Sequence, residues 1–209
     1  MADWQTISAL ATAGGTLVLA VATFSAVRSS NRSARIAEES LLAGMRPLLI
    51  PSLAGDPAHK ALWGDGHVAK VEGGRAIVEQ DGDVIYLALG LRNAGSGIAL
   101  IHGWYPAEYH AFDNAPHAAP EDFRRQGIDL YVPPGGTGYW ESAIRDNGDP
   151  LRPAVEKALD GREPFRVDLL YGDQRGRQRT ISRFTVVPAD HFWYCQASRH
   201  WNLDGPDPR

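Results

Sequence analysis

YLALGLRNAGSGIALIHGWY, residues 86–105, is the stretch whose reading sets the fold. Two apolar runs flank Asn93-Ala94-Gly95-Ser96-Gly97, and neither keeps the 3.6-residue spacing of an amphipathic helix. Asn and Gly tolerate positive φ, which a tight reversal demands, so the segment reads as a hairpin turning on Asn93, Gly95 and Gly97. Downstream, FRVDLLYGDQRGRQRTISRF (165–184) repeats the pattern, with Asp173 opening a type I turn and Gly176 in the left-handed position behind it. Between them VPPGGTGYWESAI (132–144) reads as a strand that follows a Pro-Gly turn. Working outward, strands are expected at 46–52, 66–71, 75–80, 83–93, 98–112, 127–132, 137–144, 164–171 and 177–187. One helix interrupts them, DPLRPAVEKALDG (149–161), with Asp149 as N-cap, Pro150 first and Gly161 behind. Residues 113–126 read as a surface loop. Many short strands with little helix imply a mainly β, antiparallel sandwich.

The amino-terminal part obeys a different rule. From Trp4 to Val27 the chain carries 24 residues without a charge, WQTISALATAGGTLVLAVATFSAV. As a helix they span about 36 Å, enough for a hydrocarbon core of about 30 Å. Trp4 sits where an interfacial aromatic would. Arg28, Arg32 and Arg35 follow the run and no Lys or Arg precedes it. Positive charge stays on the cytoplasmic side, so the short head is expected outside a bacterial inner membrane and the domain in the cytoplasm. Ser8, Thr12, Thr16 and Ala20 repeat at four-residue spacing, with Ala11 and Gly15 beside them, a face through which helices can self-associate. SSNRSARIAEESLLAG continues the helix to a C-cap at Gly44. The expected organisation is a transmembrane helix (1–27), a juxtamembrane stalk (28–45), a β-sandwich (46–190) and an aromatic segment with a disordered tail (191–209).

Composition excludes some functions. The formal charge of −4 survives removal of residues 1–45, which take out three arginines and three acids. A general nucleic-acid binder would be strongly basic instead. The single cysteine, Cys195, allows no intramolecular disulfide and no cysteine-based metal site. Arginine outnumbers lysine 18 to 3, the mark of a GC-rich bacterial genome.

The strand GMRPLLIPS (44–52), the turn LRNAGSGIAL (91–100) and the hairpin YGDQRGRQRT (171–180) resemble uncharacterised single-pass membrane proteins of GC-rich, actinobacterial-type bacteria. In these a weakly apolar N-terminal helix and an arginine-containing stalk precede an immunoglobulin-like β-sandwich. The resemblance implies a fold and a membrane location, and no activity.

Candidate chemistry is sparse. Gly95-Ser96-Gly97 leads into a strand and so is no nucleophile elbow. Pro134-Gly135-Gly136-Thr137-Gly138 lacks the lysine and helix of a phosphate loop. Asp56, His59, Asp65 and His67 fall within 12 residues, without a diagnostic metal-ligand spacing. His102, Glu108 and His110 share a parity on one strand, the pattern of a common face. The strongest patch is basic: Arg175, Arg177, Arg179 and Arg183 on the last hairpin with Arg166 before it, candidates for an acidic protein partner or anionic lipid. Phe192, Trp193, Tyr194 and Trp201 are read as a segment packing over an open sandwich end. No cofactor is expected, and the leading expectation is a membrane-tethered, non-enzymatic interaction module. A membrane-acting oligomeric assembly and a hydrolase or metal-dependent enzyme are the alternatives.

Overall fold

The computed structural model describes residues 3–109 and 115–207, so His110 lies outside it. The chain divides into two compact units, 1–44 and 45–209. In the first, helix α1 (Trp4–Gly44) is one unbroken element, so the apolar run and the stalk are continuous helix. It is long and apolar enough, by length and composition, to cross a membrane. Its hydroxyls are satisfied from within: Thr12, Thr16 and Thr23 donate to the carbonyls of Ser8, Thr12 and Leu19 at 2.8–2.9 Å. That bonding removes the cost of placing threonine in an apolar helix.

The second unit is built from β1 (Leu49–Pro51), β2 (His59–Leu62), β3 (Val68–Val71), β4 (Arg75–Asp81), β5 (Val84–Asn93), β6 (Ala99–Glu108), β7 (Arg124–Val132) and β8 (Thr137–Ile144). Helix α2 (Arg152–Gly161) follows, then β9 (Phe165–Asp173), β10 (Arg179–Pro188) and β11 (Trp193–Asn202). Nine strands form one antiparallel sheet in the order β1-β5-β4-β11-β10-β9-β6-β7, with β8 also on β5. The sheet curls until β7 and β8 meet through Gln126, which donates to the Glu141 carbonyl at 2.9 Å and accepts from the Trp140 indole at 3.1 Å. The result is the mainly antiparallel β-sandwich behind one N-terminal helix that the sequence implies. Its core includes Trp104 and Trp140, ring centroids 5.3 Å apart, with Leu87, Leu89, Phe165, Leu169 and Phe184. Helix α2 contributes Val155 and Ala158 to the same core, and Arg152 reaches the Asp83 carbonyl at the β4–β5 turn.

Two covers complete the sandwich. The β2–β3 hairpin lies over the outer face of β5, packing Ala61, Trp63 and Val71 on Tyr86 and Ala88. Residues 118–123 lie over β9–β11, where Phe123 and Ala118 meet Leu170, Ile181 and Trp201. Strand β9 lies between this second cover and the core, and every one of its residues is buried.

Several sequence expectations are corrected. Strands β5 and β6 do not pair, so 86–105 is a crossover between layers, not a hairpin. Gly95 and Gly97 do not take positive φ. A Cβ on Gly97 would stand 1.9 Å from the Met45 carbonyl, and one on Gly95 2.3 Å from that of Arg46. These glycines make room for the chain arriving at β1. Asn93 ties the same corner, accepting from the Leu48 amide at 3.1 Å and donating to the Gly97 and Val132 carbonyls. Strand β2 falls inside the polar loop 54–67, where no strand is expected. Helix α2 begins at Arg152, because Asp149 caps the turn at Leu151 instead, and Arg162, not Gly161, takes the left-handed position at φ 48°.

The carboxyl-terminal expectation also changes. Residues 193–202 are strand β11, paired along β10 from Pro188↔Trp193 to Thr180↔Asn202 and joined to β4 at Trp193↔Ala76. The sandwich therefore extends past residue 190. Arg46 fastens this end: its guanidinium donates to Thr180, Asn202 and Asp204.

Candidate functional site

The β9–β10 hairpin pairs as the turn chemistry dictates, from Gly172↔Arg179 to Phe165↔Val186. Gly176 takes φ 67°, and Asp173 Oδ1 accepts from the amides of Arg177 at 2.8 Å and Gln178 at 3.0 Å. The turn is thus fixed by its own backbone.

The structure splits the five hairpin arginines into two groups. Arg183 is 6% exposed and Asp168 1%. Arg183 Nε and Nη2 each meet an Asp168 oxygen at 2.8 Å, while its remaining donors take the Ala115 and Pro116 carbonyls at 3.0 and 3.2 Å. Its guanidinium lies 4.8 Å from the Trp201 ring centroid. Arg166 is also buried, over the Tyr109 ring. Both are removed from the contact surface, Arg183 beneath Ala115 and Pro116 and Arg166 against Tyr109. Arg183 instead clamps that cover to the sheet. The signal was present: a turn centred between Arg175 and Gly176 sets Arg183 directly opposite Asp168.

Arg175, Arg177 and Arg179 remain exposed. Asp173, the nearest acid in the chain, is buried and turned toward backbone amides. Asp204 accepts from the Arg179 amide at 3.0 Å and is gripped by Arg46. Burial works to raise its carboxyl, but these bonds outweigh that and hold it below the usual range. The positive charge is felt nearby: burial first, then Arg179, lowers the pKa of His102. Arg175 also lines a cleft of about 120 Å³ with Met45, Ile98 and Pro134. The basic turn therefore stands at the end of the domain where the chain arrives from residue 44.

Other candidates are dispersed. Asp56 binds Arg92 and the Leu53 amide. Asp65 accepts from Tyr86 and Arg145, each at 2.8 Å, and the Tyr86 bond leads in drawing its carboxyl down to about 2. His67 stacks on Tyr86 and meets Glu79 at 2.8 Å. His59 sits on β2 against Tyr139. Among the described residues no three His, Cys, Asp or Glu are placed to hold a metal. A β-bulge between Ile101 and Gly103 breaks the parity that His102 and Glu108 appeared to share. Glu108 pairs with Lys157 at 3.2 Å instead.

One polar relay was not foreseen. The Leu49 amide donates to Tyr171 Oη at 3.1 Å, which meets Ser182 Oγ at 2.7 Å, which meets His200 Nδ1 at 2.6 Å. Each hydroxyl accepts and donates once when His200 is neutral with its proton on Nε2, leaving Nδ1 to accept from Ser182. Burial pushes the Tyr171 phenol up to about 12 and lowers the pKa of His200. Ser182 is fully buried, so the relay fastens β1 to β9, β10 and β11 and offers no nucleophile to solvent. Comparison with known proteins returns no matching family model, no matching curated protein and no matching solved structure.

Proposed function

We propose that this chain is a bacterial membrane-tethered interaction module. Residues 1–27 cross the cytoplasmic membrane with the amino terminus outside, residues 28–44 continue on the cytoplasmic side, and the β domain works there by contact, not catalysis. The observation that carries the reading is the chemistry of α1. Leu10, Leu17, Val18, Leu19, Val21 and Phe24 are all at least 63% exposed. Each side chain of this size left in water forgoes about 1.5–3 kcal/mol, and lipid removes that penalty. Arg28, Arg32 and Arg35 are exposed on the carboxyl-terminal side of the run, which supports the cytoplasmic placement of the domain. The exposed arginine turn is the contact surface the geometry favours. The four-residue line of Ser8, Thr12, Thr16 and Ala20 supports homo-oligomers through the helix.

Carbonate extraction and protease accessibility in spheroplasts test the reading together. The full chain is expected in the carbonate-resistant pellet, with a carboxyl-terminal tag protected until the cells are lysed. Release into the supernatant, or digestion in intact spheroplasts, refutes it. Crosslinking that disappears in Gly15→Leu reports helix-driven assembly.

A further inference from the structure

We infer that the cleft beside the β3–β4 turn is a binding site for a small aromatic carboxylate, a role within the β domain that stands apart from the membrane reading above. The turn Glu72-Gly73-Gly74-Arg75 builds it. Gly74 takes φ 73°, and the Arg75 amide donates to the Glu72 carbonyl at 3.1 Å, which brings the Glu72 and Arg75 side chains together. A Cβ on Gly73 would stand 2.0 Å from the Leu53 carbonyl, so glycine there lets the loop before β2 lie against the turn. Asp56 fixes that loop through the Leu53 amide and Arg92. On the other side Phe192 leads into β11, where Tyr194 pairs with Arg75 in the ladder. The space between these walls is about 420 Å³, within the roughly 300–1,000 Å³ of small-molecule sites. Ala54, Ala58, Gly73 and Gly74 line it and keep it open.

The side chains around the cleft select its ligand. Lys70 Nζ, at 3.3 Å, and the Arg75 guanidinium share one carboxylate, Glu72. The other lining acid, Asp56, is already paired with Arg92. One positive charge is therefore left over, which a single carboxylate neutralises and a dianion overshoots. Glu72 itself shows that one carboxylate reaches both cations at once. The Lys70 and Arg75 side chains are 70% and 41% exposed, so their remaining donors are open to an incoming group. The far wall is aromatic. The Arg75 guanidinium lies 4.1 Å from the Phe192 ring centroid, and Phe192 meets Tyr194 edge-on at 4.7 Å. Tyr194 is 47% exposed. A flat ring in the cleft thus finds two stacking surfaces, the Tyr194 ring and the guanidinium face that Phe192 does not cover. An uncharged ring forgoes the cations, and an aliphatic acid leaves the Tyr194 ring in water. The Glu72 bond and the Phe192 stack hold Arg75 in place beforehand, so little order is lost on binding.

The test titrates the full chain, held in an uncharged detergent with protein-free micelles as the blank, by calorimetry with three probes. 2-Naphthoate carries both the ring and the charge, 2-naphthamide the ring alone, and cyclohexanecarboxylate the charge without a flat ring. Naphthoate is expected to bind with a Kd of about 1 mM or tighter, as its size allows. Each incomplete probe is expected to bind about tenfold more weakly, for want of the charge-assisted bonds or the stack. Lys70→Gln should weaken naphthoate severalfold and leave naphthamide unchanged. Tyr194→Ala should weaken both aromatic probes and leave cyclohexanecarboxylate unchanged. Circular dichroism melting checks the fold of each variant, and the 70% exposure of the Lys70 side chain keeps that arm readable even where Tyr194→Ala unfolds. No saturable binding of naphthoate, an incomplete probe that binds as tightly, or binding indifferent to the substitutions overturns the inference. None of these results bears on the membrane reading, which carbonate extraction decides.

Discussion

Asp168→Ala is the sharpest probe of how the β domain is held together. The substitution leaves Arg183 buried with its charge uncompensated, losing two 2.8 Å charge-assisted bonds. Removing one partner of such a pair costs about 3–5 kcal/mol, because the orphaned charge stays out of water. For a domain of this size that lowers the melting temperature by roughly 10 °C or more. The double variant Asp168→Leu with Arg183→Met removes the charge as well. It still orphans the Ala115 and Pro116 carbonyls that Arg183 satisfies, at about 1–3 kcal/mol, so it recovers only part of the loss. Urea unfolding followed by circular dichroism of wild type, Asp168→Leu, Arg183→Met and the double gives the coupling energy directly. With each single variant at about 3–5 kcal/mol and the double at about 1–3, the double is expected to cost roughly 5 kcal/mol less than the sum of the singles. Asp168→Ala within 1 kcal/mol of wild type, or a double variant worse than the sum of the singles, refutes the clamp.

Further outcomes are expected from separate features. Gly97→Ala should destabilise by about 1–3 kcal/mol through overlap with the Met45 carbonyl. Gly176→Ala meets nothing within 4 Å and should cost only the left-handed backbone penalty, about 1–2 kcal/mol. A Gly97→Ala loss below about 1 kcal/mol would contradict the close approach of Met45. His200 has a folded pKa below its ordinary value near 6.5, so the unfolded chain binds more protons in the window beneath. Stability is then fully present above about pH 6.5 and falls as pH drops toward the folded value. His200→Asn should flatten that slope in unfolding measured at pH 7 and pH 5, and an unchanged slope removes His200 as its source. Cys195 should resist thiol reagents in the folded chain and react on unfolding, since burial raises its thiol pKa. Rapid labelling under native conditions would contradict its placement.

How much the sequence revealed depends on where the deciding contact lies. The helix was legible because a 24-residue uncharged run needs no partner to be read. The β9–β10 hairpin was legible because Asp173 and Gly176 define their turn locally. The crossover at residues 93–97 was misread because the same glycines serve a tight reversal or a close approach. The Met45 and Arg46 carbonyls that decide between them arrive from nearly 50 residues away. Strand β11 was hidden for a similar reason, since HFWYCQASRHWNL owes its extended form to β10. Arg183 looked exposed because burial of its face of the sheet depends on residues 115–123, whose Ala- and Pro-rich sequence reads as loop. Yet the pairing of Arg183 with Asp168 follows from the hairpin register and was within reach.

The Arg46 grip on Asp204 and Asn202 has a mechanical consequence. Residues at the two ends of the β domain are fastened within a few ångströms, and the relay from Leu49 through Tyr171 and Ser182 to His200 adds a second rivet alongside. Tension applied at residue 44 meets the Arg46 bonds to Thr180, Asn202 and Asp204 before it reaches the ladder of β1. Single-molecule pulling from residue 44 should therefore meet its main resistance at this junction, and trimming the chain after Leu203 should soften it.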